Sequence, residues 1–180
     1  MKIEICLAVA ALLLVGLAAC ERPADTKQPQ RYLKDGVAFH YPGNWEITDD
    51  EQLPTHRYIF VESPGSAVFI IQVYRKQDAM PLREFVELMA ASAKENTPLA
   101  DVGQSRFSKD ERRVGKTQSI GFGERFQASL LGQKIPHRRV HHAVPGSRHT
   151  CYLTAQAADE DWKMVQQGFE LIFSTFNEGR

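Results

Sequence analysis

Five strand-like segments succeed one another between Ala100 and Ala157 with no helical pattern among them: Ala100–Phe107, Lys116–Phe122, Glu124–Leu131, Ile135–Val144 and Arg148–Ala157. Segments this closely spaced pair antiparallel, because a parallel partner needs a crossover of about a dozen residues. "VPGSR" closes a hairpin between the last two, and "LGQK" closes another. The N-terminal half adds strands of the same kind. Asp35-Gly36 turns the chain into an alternation of Val37, Phe39 and Tyr41, and Trp45 and Ile47 resume it after Pro42-Gly43. "HRYIFVE" alternates from His56 to Glu62, Ser63-Pro64-Gly65 turns, and "AVFIIQVY" from Ala67 to Tyr74 reads as a central strand rich in β-branched residues.

Two segments carry the helical period instead. After Met80 and Pro81, the residues Leu82, Phe85, Val86, Met89 and Ala93 recur at three- and four-residue spacing, and Asn96, Thr97 and Pro98 stop the pattern. The last element spans Asp159 to Phe173, capped at Ala158 or Asp159, with Trp162, Val165, Phe169, Ile172 and Phe173 on its apolar face. Strands, helix, consecutive strands, helix: the order predicts a single α+β domain, an antiparallel β-sheet flanked by helices, over residues 32–178. Ser105 to Lys116, charged throughout, reads as a loop.

Composition excludes several functions. The chain has 180 residues with 22 basic and 22 acidic side chains, a net charge of zero. A nucleic-acid binder carries a basic excess, and so does a protein that adheres to anionic lipid through bulk charge. Beyond residue 20 no apolar run approaches the roughly 20 residues that span a bilayer. Of the cysteines Cys6, Cys20 and Cys151, the first lies inside the apolar N-terminal stretch, so no disulfide framework is expected.

Residues 1–19 place Lys2 before an apolar core and end in Ala18 and Ala19, the layout of a cleaved secretory signal. The sequence "LAAC", Leu17-Ala18-Ala19-Cys20, resembles the bacterial lipobox. That resemblance implies cleavage before Cys20, a diacylglycerol on its sulfur and a bacterial envelope lipoprotein facing the periplasm. The cysteine supplies the thiol that accepts the lipid, and each buried methylene adds about 0.8 kcal/mol of membrane affinity. Glu21 follows where Asp would imply inner-membrane retention, so outer-membrane sorting is the expectation. Glu21 to Gln30, polar with two prolines, reads as a flexible tether completing a linker over residues 20–31.

"DGVAFHYPGNWEI" (Asp35–Ile47) is similar to the opening of PsbP-like and DcrB-like domains, and "YIFVESPGSAVFIIQVY" and the closing "FELIFSTF" fit the same group. The resemblance covers Tyr32 to Phe176. It implies an α/β/α sandwich in which Tyr41, Pro42 and Trp45 form a buried turn. It also implies a non-catalytic binding or assembly module, with no active site to carry over.

The densest local chemistry is "HRRVHHAVPGSRHTC", with His137, His141, His142, His149 and Cys151. If Val144 pairs with His149, His142 lies opposite Cys151, while His137 and His141 share a face with Arg139 between them. Arg138, Arg139, His141, His142 and Arg148 are therefore the candidate surface for an envelope protein or an anionic envelope ligand. The alternative is a periplasmic metal site built from the His137–His149 hairpin. No nucleophile elbow, phosphate loop or zinc-helix motif is present, and "GFG" at 121–123 reads as a bulged strand. No catalytic residue, metal ligand set or cofactor is assigned, and Cys151 reads as a buried small hydrophobe.

Overall fold

The computed structural model describes residues 21–95, 100–130 and 133–178. The expected signal segment and the lipidation of Cys20 lie outside the described residues. The strands β1 (Gln30–Lys34) and β2 (Val37–Tyr41) form a hairpin whose turn residues, Asp35 and Gly36, have φ of 47° and 79°. A two-residue turn of this hand needs positive φ twice, which is why Asp-Gly closes it. Then follow β3 (Glu46–Gln52), β4 (His56–Glu62), β5 (Val68–Arg75), α1 (Leu82–Glu95), β6 (Ala100–Val102), β7 (Arg106–Val114), β8 (Thr117–Leu130), β9 (Gln133–Pro145), β10 (His149–Ala158), α2 (Trp162–Thr175) and β11 (Asn177–Glu178).

The strands make a three-stranded sheet, β1-β2-β11, and an eight-stranded one in the order β3-β4-β5-β10-β9-β8-β6, with β7 also on β8. Every pairing is antiparallel. The consecutive hairpins expected from the sequence are present, with two changes. Arg106–Val114 is a strand rather than a loop. It pairs on one side only, and an edge strand tolerates charged side chains that a central one would not. Thr117–Leu130 is one continuous strand where the sequence suggests two. In addition, α2 starts at Trp162 after Asp161, because β10 runs on to Ala158 opposite His137.

The two helices take opposite faces of the large sheet. On one, α1 stacks Phe85 on Tyr152 at 4.0 Å, with Tyr74, Val86 and Met89 around them. Tyr152 also fixes the start of α1, donating its hydroxyl to the Met80 carbonyl and accepting the Met80 amide at 2.9 Å. On the other face, α2 and the small sheet bury Ile59, Phe69, Ile71 and Leu153 beneath Phe169, Ile172 and Phe173. The Tyr41-Pro42 corner packs here, and Trp45 is fully buried, edge-on to Phe169 at 5.3 Å. Gly168 makes that approach possible: a Cβ there would lie 2.8 Å from both Pro42 and Trp45. Burial of this kind is the main source of stability, and truncating a buried Trp costs about 3–5 kcal/mol.

Glu21 to Gln30 is not a free tether. The Ala24 amide donates to the Met164 carbonyl of α2 at 3.0 Å, the Gly43 amide to the Asp25 carbonyl at 2.9 Å, and the Asp25 amide to Asn44 Oδ1 at 2.8 Å. Ala24 packs against the α2-side core. Composition pointed to disorder because the segment has no large apolar residue; its backbone and short side chains dock it instead, through polar contacts that leave no periodic signature.

Candidate functional site

The His/Arg-rich strand β9 lies near the middle of the large sheet, between β10 and β8. Its hairpin with β10 is closed by the Gly146 amide donating to the His149 carbonyl at 2.8 Å, which sets Val144 opposite Cys151 and His142 opposite Leu153. The expected register, with Val144 opposite His149, is therefore off by two residues. A slip of two preserves the faces, so alternation was right about which side chains share one.

The candidate surface does not exist as a surface. Arg139 is 4% exposed and His141 and His142 are 0% exposed, leaving Arg138 half-buried and only Arg148 out in solvent. A central strand covered on both faces turns its middle residues inward, whatever their polarity, and residues 139 to 142 are all buried. The polar ones must then find partners, since an unpaired buried charge is costly.

On the α1 face they form one network. His141 bridges Thr154 Oγ1 at 3.0 Å through Nδ1 and Glu124 Oε2 at 3.0 Å through Nε2. Arg139 lies 3.5 Å from the same carboxylate oxygen, donates to Gln156 and sits 4.3 Å over the Phe126 ring. The Ser105 hydroxyl donates to the other Glu124 oxygen at 2.5 Å. Burial pushes the Glu124 carboxyl up, but the His141 hydrogen bond and the Arg139 charge outweigh it and hold the group at about 2. Burial pushes His141 down from its ordinary value. Glu124 is thus the anion and Arg139 its cation, while neutral His141 donates from Nε2 and accepts the Thr154 hydroxyl at Nδ1.

On the α2 face the next histidine does the same thing separately. His142 meets Ser119 Oγ at 2.9 Å through Nδ1 and Asp110 Oδ1 at 2.8 Å through Nε2. Arg112 holds Asp110 at 2.7 Å, reaches Glu170 of α2 at 2.7 Å and lies 4.6 Å over Phe173. Burial alone would raise the Asp110 carboxyl; hydrogen bonds from His142 and Arg112 hold it well below the usual carboxylate range. His142 reaches β7 across β8 because the residue between them is Gly121. A Cβ there would lie 2.6 Å from His142 Cε1 and 2.1 Å from the His141 carbonyl. The "GFG" of the sequence is this clearance, and it was the signal from which the relay could have been read.

Hydroxyl, imidazole and carboxylate in line is the order of a nucleophilic triad, but a working one needs a group that substrate can reach. Here both imidazoles are sealed and already partnered at each nitrogen. Cys151 is 0% exposed with its thiol pushed up to about 12 by burial, the environment of an inert cysteine. His137 stacks on Phe126 and bonds the Ile135 carbonyl, and His149 faces Glu178 at 3.6 Å. The metal alternative thus loses its geometry: His141 and His142 point to opposite faces, and among the described residues no three His, Cys, Asp or Glu side chains converge.

Solvent-facing polar chemistry survives beside the buried network. A cleft of about 410 Å³ is lined by Arg106, Arg125, Phe126, His137 and Asp159, among others. Arg125 is 61% exposed and shares Asp159 with Arg138, at 2.9 and 2.6 Å. Arg138 also covers the Trp162 ring at 4.8 Å. Arg106 and Arg125 were not singled out from the sequence, where isolated arginines on different strands carry no shared pattern.

No family model and no curated protein matches the chain. Solved structures do. A Bacteroides thetaiotaomicron protein aligns with TM-score 0.54 and 12% identity over 85% of this chain, which spans about half (49%) of that protein's length. The cyanobacterial PsbP of Synechocystis aligns with TM-score 0.53 and 13% identity over 92% of this chain and 95% of its own. LpqN of Mycobacterium tuberculosis, described as involved in cell envelope biogenesis, aligns with TM-score 0.41 and 10% identity over 85% of this chain and 91% of its own. The near-complete mutual coverage with cyanobacterial PsbP defines the class: this is a PsbP-like α+β fold, antiparallel sheets flanked by two helices. At such identities the likeness speaks for fold alone.

Proposed function

We propose that this chain is a bacterial envelope lipoprotein, lipidated on Cys20 and facing the periplasm, whose PsbP-like domain is a non-catalytic binding or assembly module. The observation that carries the reading is the lipobox Leu17-Ala18-Ala19-Cys20 at the end of an apolar, signal-like segment. Among the described residues no helix is long and apolar enough to cross a membrane, so an anchor on Cys20 is consistent with the rest of the chain. The commitment of His141, His142 and Cys151 to internal contacts supports a binding role rather than a catalytic one. An outer-membrane address follows from Glu21 at the position after the cysteine.

The partner is an envelope protein or an anionic envelope ligand, and not nucleic acid. Its seat is the cleft beside Arg106 and Arg125 rather than the buried β9 residues. Mass spectrometry of the N-terminal peptide from cell envelopes tests the anchor. A diacylglyceryl group on Cys20, with detergent-phase partition lost in Cys20→Ser, is the expected result; an unmodified thiol overturns it. Crosslinked pull-down with wild type and Arg106→Ala/Arg125→Ala tests the surface. Partners lost from the double variant support it, and identical lists from both overturn the cleft.

A further inference from the structure

The docked segment Glu21–Gln30 has a consequence for the anchor. A free ten-residue spacer would let the domain wander about 17 Å from its lipid. Instead the chain is secured from its first described residue. The Glu21 carboxylate accepts the Ser63 hydroxyl at 2.6 Å and faces the amides of Ser66 and Ala67 at 3.3 and 3.4 Å. These belong to the β4–β5 turn. The space is close-fitting: a Cβ on Gly65 would lie 2.5 Å from Glu21 Oε2. Asn44 then clamps the strap from both sides, donating Nδ2 to the Pro23 carbonyl at 3.1 Å and accepting the Asp25 amide at 2.8 Å. Ala24 is bonded to α2, and Asp25 Oδ1 accepts the Lys27 amide at 3.0 Å to turn the chain toward β1.

Cys20 is one peptide unit from Glu21, about 3.8 Å between α-carbons. Any lipid it carries therefore leaves the domain at one place, the end of the sheet where the β4–β5 turn meets the loop before α2. The Ala24 amide on the Met164 carbonyl at 3.0 Å joins the strap to the first turn of α2 there. Trp162, partly buried against the core and covered by Arg138, is at the same end, and an indole suits a membrane interface. The small, neutral Ser63-Pro64-Gly65-Ser66 turn lets a headgroup layer come close. Glu21, Glu160 and Asp161 share that end with Arg125 and Arg138 on Asp159, so charges of both signs face it, as suits a zwitterionic surface.

We propose that Glu21–Gln30 is a strap that fixes the orientation of the domain on its membrane, with the β4–β5 turn and the start of α2 against a zwitterionic bilayer surface and the Pro145–His149 hairpin at the opposite end of the sheet. The inference rests on lipidation of Cys20, and the two are tested separately. The lipidated protein is suited to spin labelling, because the Cys20 sulfur is blocked, Cys6 leaves with the signal and Cys151 is buried. Labels are placed at two exposed positions, Glu160→Cys and Ser147→Cys, and the protein is reconstituted in phosphatidylcholine vesicles containing nickel-chelating lipid. Several-fold stronger relaxation at 160 than at 147 is expected, with the ratio falling toward one in Glu21→Ala/Asp25→Ala and partly in the milder Glu21→Gln. Equal relaxation at the two positions in vesicle-bound wild type overturns the strap. Failure to float with vesicles, with an unmodified Cys20, overturns the anchor and so the orientation. Amide exchange on mature Cys20→Ser protein tests the strap without lipid: protection at Ala24 and Gly43 supports it, and random-coil rates at both overturn it.

Discussion

His141 and His142 are neighbours in sequence and opposites in surroundings. Each joins a hydroxyl to a carboxylate, His141 between β10 and β8 and His142 between β8 and β7. The His141 relay is closed on every side: Glu124, Arg139 and His141 all have side chains 5% exposed or less. The His142 relay reaches the edge, because Asp110 is 23% exposed and Arg112 continues to Glu170 on the surface. The same chemical motif should therefore cost differently to break. In the closed relay, removing one charge strands another without water. In the open one, solvent and a second carboxylate take up the loss.

The largest effect is expected for Glu124→Gln, which leaves the Arg139 guanidinium buried without its anion. The loss is about 3–5 kcal/mol in urea unfolding. A loss below that of Asp110→Asn would break the comparison. Gly121→Ala should follow at about 3 kcal/mol, because the new methyl meets backbone and imidazole together and no rotamer relieves it. Asp110→Asn is expected to cost about 1–2 kcal/mol, with Arg112 keeping Glu170. Arg148→Ala, on the exposed turn, should stay within about 0.5 kcal/mol.

Acid sharpens the contrast between the relays. His141 has a folded pKa below its ordinary 6.5, so the unfolded chain takes up the proton first. Its contribution is complete above that value and declines as pH falls through it. Glu124 adds a second decline, beginning at its ordinary 4.5 and running to about 2. Unfolding midpoints measured from pH 7 down to 3 should therefore fall in two stages. The lower stage should shrink in Glu124→Gln; an unchanged lower stage would assign it to other carboxylates such as Asp110.

Much of the fold was legible because it rests on periodicity. Alternation in "VAFHY", "HRYIFVE" and "AVFIIQVY", and the stripes of α1 and α2, are local consequences of which faces are buried. The candidate site was less legible. Alternation placed His137, Arg139 and His141 together and His142 apart, but it could not tell a buried face from a wet one. A polar side chain in a strand reads as solvated by default, and β9 is covered on both faces. The charged run Arg106–Val114 misled in the opposite sense, because an edge strand needs no apolar pattern. Glu21–Gln30 misled because docking through amides and carbonyls uses atoms that every residue has.

Taken alone, the sequence determined the antiparallel α+β architecture, the two helices, the Asp35-Gly36 turn and the presence, though not the register, of the turn between β9 and β10. Tertiary structure decided what the polar residues do. Glu124 and Asp110 come from strands 17 and 32 residues from His141 and His142, and Ser105 reaches Glu124 from the link between β6 and β7; only strand order and register bring these groups within hydrogen-bond reach. Gly121 matters only once His142 and Asp110 stand on either side of it. Whether a histidine is a ligand, a catalyst or a brace depends on which groups the fold places around it and whether water can reach it.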